Sequence, residues 1–157
     1  MNVQMRMLRL FCDMYLRAMG RVLAIDYGKK RCGIAETDPM QIIASGLTTV
    51  PPANLLNFIE DYCKKEKVDV IVVGESLRLS GEANPIETEI LAFIKKLRKR
   101  LPNIEIARED ERYTSKMALD SMIASGSKKK ARQKKENIDM ISATIMLQQY
   151  LQRSMKG

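Results

Sequence analysis

The sequence contains no histidine and no tryptophan, only three cysteines, and few aromatic residues of any kind, 5% of the total. Without histidine there is no Ser-His-Asp or Cys-His nucleophile system, no histidine-liganded zinc and no imidazole general acid or base. Catalysis by such a chain has to run on carboxylates, lysines, hydroxyls or thiols. Cys12, Cys32 and Cys63 are odd in number, widely spaced and form no CxxC pair. That argues against a disulfide framework or a thiolate metal site and points to a reducing, cytoplasmic compartment. No apolar run is long enough to span a membrane. In the first 19 residues Asp13 and Arg17 interrupt the apolar pattern and no small-residue cleavage site follows, so the layout of a signal peptide is missing too.

What is present fits one soluble domain. The 157 residues are 45% hydrophobic and 29% charged. A chain of this length buries about 70% of the surface its unfolded form exposes, so it needs no covalent staple. The 27 Lys and Arg outnumber the 19 Asp and Glu, for a net charge of +8. Residues 1–19 hold five of the eleven methionines and little turn chemistry. They read as an N-terminal extension: an amphipathic helix, a disordered leader or an upstream start, with a single domain expected over residues 20–157. Arg6, Arg9 and Arg17 against Asp13 supply little of the charge, so the basic character belongs to the domain.

From Gly20 onward the pattern is legible. Val22 to Ile25 is a short apolar run closed by Asp26-Tyr27-Gly28, as a buried strand running into a tight turn would be. Cys32 to Ala35 and Ile42 to Val50 read as two further strands of an antiparallel meander. Pro51 and Pro52 precede a helical stretch with Leu55, Leu56, Ile59, Tyr62 and Cys63 on one face. Val68 to Val73 is apolar on both faces, like a parallel strand, and ends at Gly74. A helix from about Pro85 to Leu101 follows, then a strand at Ile104 to Ala107. Thr114 or Ser115 can cap a helix running to Ala124 and stopping at Gly126. A basic linker from Ser127 to Lys135 leads to a last helix from about Asn137 to Arg153, apolar almost all round and therefore expected to be buried. The expected fold is α/β: a mixed five-stranded sheet, three antiparallel strands and then two parallel, flanked by helices on both faces.

In open sheets of this kind the ligand site lies beyond the C-terminal ends of the parallel strands. At those ends stand Asp26, then Gly74-Glu75, then Glu109-Asp110-Glu111. Each strand end delivers a carboxylate. Asp139, near the start of the last helix, is a fourth, although an acid there also has the plainer role of complementing the helix dipole. Asp26 has a plainer role as a turn former, Glu75 as a loop residue and the 109–112 run as a surface charge cluster.

Converging carboxylates in a basic protein suggest a divalent cation acting on a polyanion. Hard oxygen ligands suit Mg²⁺ or Mn²⁺. Two such ions about 4 Å apart can activate a water and stabilise the leaving oxygen of a phosphodiester without any histidine. Lys29, Lys30 and Arg31 follow Asp26 directly and could grip backbone phosphates. The run Lys128, Lys129, Lys130, Arg132, Lys134 and Lys135 is either solvated or a basic arm beside the site. Tyr27, Tyr113 and Tyr150 are the aromatic residues near these motifs that could stack on bases.

At these residues the chain resembles the ribonuclease H-like YqgF/RuvX proteins, described as Holliday junction resolvases and as pre-16S rRNA processing nucleases. The resemblance covers roughly residues 20 to 153. VLAIDYGKKRCGIA is similar to the family's opening strand, hairpin and D-x-G motif, VDVIVVGESLRLSG to its strand-Gly-loop segment, DERYTS to its DER motif, and KKKARQKKENIDMISATIMLQQYL to its basic stretch and Asp-bearing last helix. D-x-G alone is weak, but the four in this order are specific. The resemblance implies catalytic, metal-binding roles for Asp26, Glu111 and Asp139, with Asp110 the second choice within the DER motif. It implies that Arg112 and Thr114 support substrate or the local turn. Where many members carry Leu-Pro after the strand glycine this chain has Glu75-Ser76, so Glu75 is either an additional catalytic acid or a tolerated loop residue.

The implied function is a Mg²⁺- or Mn²⁺-dependent endonuclease with a two-metal site, processing the 5′ end of pre-16S rRNA in the cytoplasm. The alternatives are a resolvase of four-way DNA junctions or a non-catalytic RNA-binding ribosome-assembly factor. A further reading, one lobe of an actin-like ATPase or sugar kinase, needs a second lobe that a single domain does not supply. The protein is expected to be a monomer or a weak homodimer, because resolving a symmetric junction calls for two copies.

Overall fold

The computed structural model describes residues 2–132 and 134–155, with the side chains of 14–18, 131 and 132 outside the description. Three strands open the sheet: β1 (Arg21–Asp26), β2 (Cys32–Thr37) and β3 (Ala44–Val50). They are preceded by helix α1 (Val3–Ala18), which exposes Met7, Leu8 and Phe11 to solvent. Helix α2 (Pro52–Lys65), strand β4 (Val68–Glu75), helix α3 (Glu87–Arg100) and strand β5 (Glu105–Asp110) follow, then helix α4 (Thr114–Ala124), a single helical turn α5 (Lys129–Arg132) and helix α6 (Lys135–Ser154). The strands are ordered β3-β2-β1-β4-β5. β1 pairs antiparallel with β2 and β2 with β3, while β1–β4 and β4–β5 are parallel. Among the described residues no helix is long and apolar enough to cross a membrane.

The two faces of the sheet are built differently, and the difference positions the site. Because side chains alternate along a strand, Leu23, Ile25, Ile34, Ile71 and Val73 point one way and pack with Leu55 and Ile59 of α2 and Ile90, Ile94 and Leu97 of α3. Each such side chain, fully buried, contributes about 1.5–3 kcal/mol. The other face carries Val22, Ala24, Ala35 and Val72, much smaller, against Ala143, Met146 and Leu147 of α6. Small side chains let α6 lie very close to the sheet. At Gly33 the approach is closest: a Cβ there would sit 2.1 Å from the carbonyl oxygen of Asp139. The helix backbone at Asp139 therefore rests on the β2 glycine that pairs with Asp26. Gly33→Ala is expected to push α6 off the sheet, costing about 1–3 kcal/mol as overpacked sites do. A melting temperature equal to that of wild type would show that the helix can yield at no cost.

Several element boundaries differ from the sequence expectation for identifiable reasons. β3 starts at Ala44 because Ile42 and Ile43 lie in a turn, where the Asp38 carboxylate accepts the backbone N–H groups of Met40, Ile42 and Ile43 and Gln41 takes a φ of 58°. α3 begins at Glu87 instead of Pro85. β5 runs on to Asp110, so Glu109 and Asp110 are strand residues instead of loop. The Thr114 hydroxyl does not cap α4; it donates to the carbonyl of Glu111 at 3.0 Å. The linker between α4 and α6 contains the turn α5, and α6 starts at Lys135, two residues earlier than expected. α6 itself has one buried face, centred on Ser142, Ala143, Met146 and Leu147, with half-buried flanks.

Candidate active site

Strand parity decides which of the strand-end carboxylates meet. Asp26 follows Val22 and Ala24 on the α6 face of β1. Gly74 follows Val72 on the same face of β4, and Ala107, Glu109 and Glu111 alternate onto it from β5. Glu75 is in register with Asp110, and both belong to the opposite face. The structure accordingly brings the Asp26 and Glu111 carboxyls against one another, where a proton on one can be shared with the other. Asp110 is instead held by Arg112, at 2.7 Å from Nε and 2.6 Å from Nη2. Glu75 is half-buried beside it. Neither reaches the Asp26–Glu111 pair.

Gly74 makes room for this pair. A Cβ at position 74 would lie 2.0 Å from Oε2 of Glu111, so the carboxylate occupies the space a side chain would fill. That same Oε2 is buried and has no hydrogen-bond partner. Leaving a buried acceptor unsatisfied costs about 1–3 kcal/mol, which makes this oxygen a natural place for a cation or a proton. Burial pushes the Asp26 carboxyl up from its ordinary value and the nearby Asp139 charge adds to this, against a lowering by the Glu111 hydrogen bond. Burial, then the Asp26 charge, pushes Glu111 up as well. Without a cation, the pair retains a proton at pH values where ordinary carboxyls have lost theirs.

Asp139 stands close enough to Asp26 to influence it but faces elsewhere. Its Oδ2 accepts Nε of Arg31 at 3.0 Å, linking α6 to the β1–β2 hairpin. Among the described residues no three acidic or thiol groups lie together closely enough to enclose a metal ion as they stand. The arrangement is a hydrogen-bonded pair, Asp26 and Glu111, with a third carboxylate beside it tied to a guanidinium. In chemistry the set fits a hard divalent cation: oxygen donors only, one of them buried and unpartnered.

The cations divide similarly. Lys29 and Lys30 are exposed at the hairpin, while Arg31 is engaged by Asp139. Lys128, Lys129, Lys130, Lys134 and Lys135 are all exposed along the segment leading into α6; the side chain of Arg132 lies outside the described residues.

Two pairs that support the site belong to no motif in the sequence. Arg108 donates to the carbonyls of Val73 (3.1 Å) and Gly74 (2.9 Å) and meets Oε1 of Glu87 at 2.6 Å, while Glu87 Oε2 accepts the N–H of Ser76 at 3.0 Å. This largely buried ion pair fixes the end of β4 under Glu111. Glu109, also buried, is paired with Arg153 of α6. A charged residue inside an otherwise apolar strand, as in Ile106-Ala107-Arg108-Glu109, is the one signal of them, because such a charge is rarely buried unpaired.

The raised carboxyls carry a pH signature. A carboxyl whose folded pKa exceeds its unfolded value contributes stability fully present below the unfolded pKa and lost as pH rises through the folded one. The metal-free protein is therefore expected to lose stability as pH rises above the ordinary carboxylate range, and divalent cation to restore it by displacing the proton. Melting temperatures across pH with a chelator and with Mn²⁺ test this; a metal-free curve that rises throughout would contradict it.

Residues 20–153 match the family model described as "RuvX: Holliday junction resolvase". A Flavobacterium psychrophilum protein named "Putative pre-16S rRNA nuclease" is 53% identical over 135 residues, covering 86% of this chain and 98% of the relative. A Phocaeicola vulgatus protein of the same name is 50% identical over 134 residues, 85% of this chain and 96% of that one. Among solved structures, the fowlpox virus resolvase in complex with Holliday junction DNA superposes with a TM-score of 0.57 at 13% identity, over 85% of this chain and 98% of that chain. Thermus thermophilus RuvC does so with a TM-score of 0.54 at 14% identity, over 87% of this chain and 96% of that one. At such identities the likeness concerns the fold.

Proposed function

Because the chain belongs to the RuvX Holliday junction resolvase family, a family of phosphodiester hydrolases, we propose that it is a divalent-metal-dependent endonuclease that trims the 5′ end of pre-16S rRNA in the cytoplasm. The observation that carries the reading is the buried, unpartnered Oε2 of Glu111 set against Asp26 at the C-terminal edge of the parallel strands. The names of the relatives at about half identity favour RNA over a DNA junction as substrate.

Asp26 and Glu111 would hold Mg²⁺ or Mn²⁺, with Asp139 as a third ligand once it exchanges Arg31 for the cation. The bound cation would polarise the scissile phosphate and lower the pKa of an attacking water. The chain's own residues supply the rest. Burial of the pair keeps bulk water from screening the charges, and the Arg108–Glu87 pair holds the Gly74 backbone on which Glu111 rests. Lys29 and Lys30, exposed on the hairpin that follows Asp26, would meet the backbone phosphates as they arrive. Arg31, released from Asp139, would join them. Asp110 and Arg112 close the turn after β5; in this reading they act on its shape, and Glu75, the last residue of β4 on the face away from Asp26, holds no cation.

The lysines before α6 serve as a basic arm. Neutralising Lys128, Lys129 and Lys130 is expected to weaken nucleic-acid binding and to flatten its salt dependence by about one unit of slope, or slightly less, for every phosphate that no longer meets a lysine. An unchanged log-log salt slope would return the run to solvent. The reading as a whole is tested by a Mg²⁺-dependent cleavage assay offering precursor rRNA and a synthetic four-way junction side by side. Specific scission of the precursor supports it. Cleavage of the junction alone would make the protein a resolvase, and binding without cleavage would make it an assembly factor.

A further inference from the structure

The turn that delivers Glu111 to Asp26 also walls a second feature on its outer side. A cavity of about 510 Å³ opens between the end of β5, the start of α4 and the last turns of α6, a volume in the range of small-ligand pockets. It is joined to the catalytic side by Thr114, whose backbone N–H and hydroxyl both donate to the Glu111 carbonyl, at 3.2 and 3.0 Å.

The charges in its wall are already spent on one another. Glu109 is paired with Arg153, and Asp110 with Arg112. Beside these pairs the wall presents uncharged groups: the ring of Tyr113, 57% exposed, the thioether of Met117, 41% exposed, and the amides of Gln149 and Gln152. Gln149 reaches across from α6 to the Met117 sulfur at 3.8 Å, so the two helices face one another over the opening. The Gln149 and Gln152 side chains, three residues apart on a helix, share a face, and each amide both donates and accepts. An exposed aromatic ring beside paired amides suits a flat, neutral heterocycle with hydrogen-bonding edges.

We propose that this cavity receives an unpaired nucleobase of the substrate strand, next to the phosphodiester held at Asp26 and Glu111. The base stacks on Tyr113 against Met117, and the glutamine amides meet its Watson–Crick edge, which is available only when the base is unpaired. The backbone phosphates stay outside, on the exposed lysines. The cavity thereby selects single-stranded flanks or junction bases over continuous duplex. The inference rests on the nuclease reading for its choice of ligand, but its test reads binding.

The test uses the full chain in the presence of a chelator and two fluorescein-labelled RNA hairpins whose strands are joined by a polyethylene glycol linker in place of loop bases, one with a single-stranded 5′ tail and one blunt-ended, followed by anisotropy. Stacking on an aromatic side chain is worth about 1–3 kcal/mol per base, so Tyr113→Ala should weaken binding of the tailed hairpin roughly tenfold or more. Tyr113→Phe should retain the affinity and the blunt hairpin should bind equally to all three proteins. Because Tyr113 is exposed, the variants are expected to melt with wild type. Equal loss for both hairpins, no loss for either, or failure of wild type to bind either would overturn the proposal. So would a change of oligomeric state with unchanged affinity, which would mark the cavity as an interface between copies. If the tyrosine dependence holds while wild type cleaves nothing with Mg²⁺, the cavity stands and the nuclease reading falls; cleavage without tyrosine dependence gives the reverse.

Discussion

Asp26→Asn is expected to reduce metal-dependent phosphodiester cleavage to background while leaving the fold intact. The carboxamide has the shape of the carboxylate, so the turn from β1 into the hairpin and the hydrogen bond to Glu111 both survive, the amide now donating. What disappears is a buried negative charge. Its burial already disfavours ionisation, and the Asp139 charge adds to that. The metal-free variant should therefore melt at or above the wild-type temperature, as clustered carboxylates often trade stability for function. Its Mn²⁺-induced rise in melting temperature should vanish, because a neutral amide oxygen is a far poorer ligand for a hard cation than a carboxylate. Wild-type turnover in this variant would remove the metal site from the account, whatever its stability.

The sheet is readable in the sequence because its strands announce themselves locally. Val68 to Val73 is apolar on both faces, and Asp26-Tyr27-Gly28 marks the turn after β1. The order and sense of the strands then follow from the lengths of the connections: a short hairpin permits only antiparallel pairing, and a helix-bearing crossover only parallel. Carboxylates at the strand ends are legible on the same grounds. Which of them converge is not, because the apolar pattern of β5 stops at Ala107 while the strand does not. Extending the strand to Asp110 sets the parity of three acids at once. Glu109 and Glu111 fall on the α6 face with Asp26, and Asp110 falls on the other with Glu75.

Long-range ion pairs lie beyond sequence reasoning for a different reason. Arg31–Asp139 spans 108 residues of chain, and no local pattern distinguishes that arginine from the lysines beside it. Gly33 likewise reads as an ordinary strand glycine, and Gly74 as the end of a strand. Their significance lies in what comes to rest on them, the backbone at Asp139 and the carboxylate of Glu111. Both glycines hold functional groups against the sheet by having no side chain of their own.

Asp139→Asn is the change that separates a ligand from a helix-dipole acid. α6 begins at Lys135 and its first-turn acid is Glu136, so Asp139 lies where the dipole has already faded. Its remaining structural use is the ion pair with Arg31, about 30% and 26% exposed at the two side chains; pairs this accessible contribute about 0.2–1 kcal/mol. Losing that pair is opposed by relief of repulsion on Asp26, so the metal-free melting temperature should move little. As a ligand, however, Asp139 should take most of the cleavage and most of the Mn²⁺-induced stabilisation with it. A variant with full activity and a full Mn²⁺ shift would leave Asp139 as a strap between the hairpin and α6. Arg31→Gln supplies the complementary arm. If Asp139 works only by holding Arg31, that change reproduces the loss. If Asp139 must leave Arg31 to bind the cation, it should preserve the Mn²⁺ shift or enlarge it, since the competitor for the carboxylate is gone.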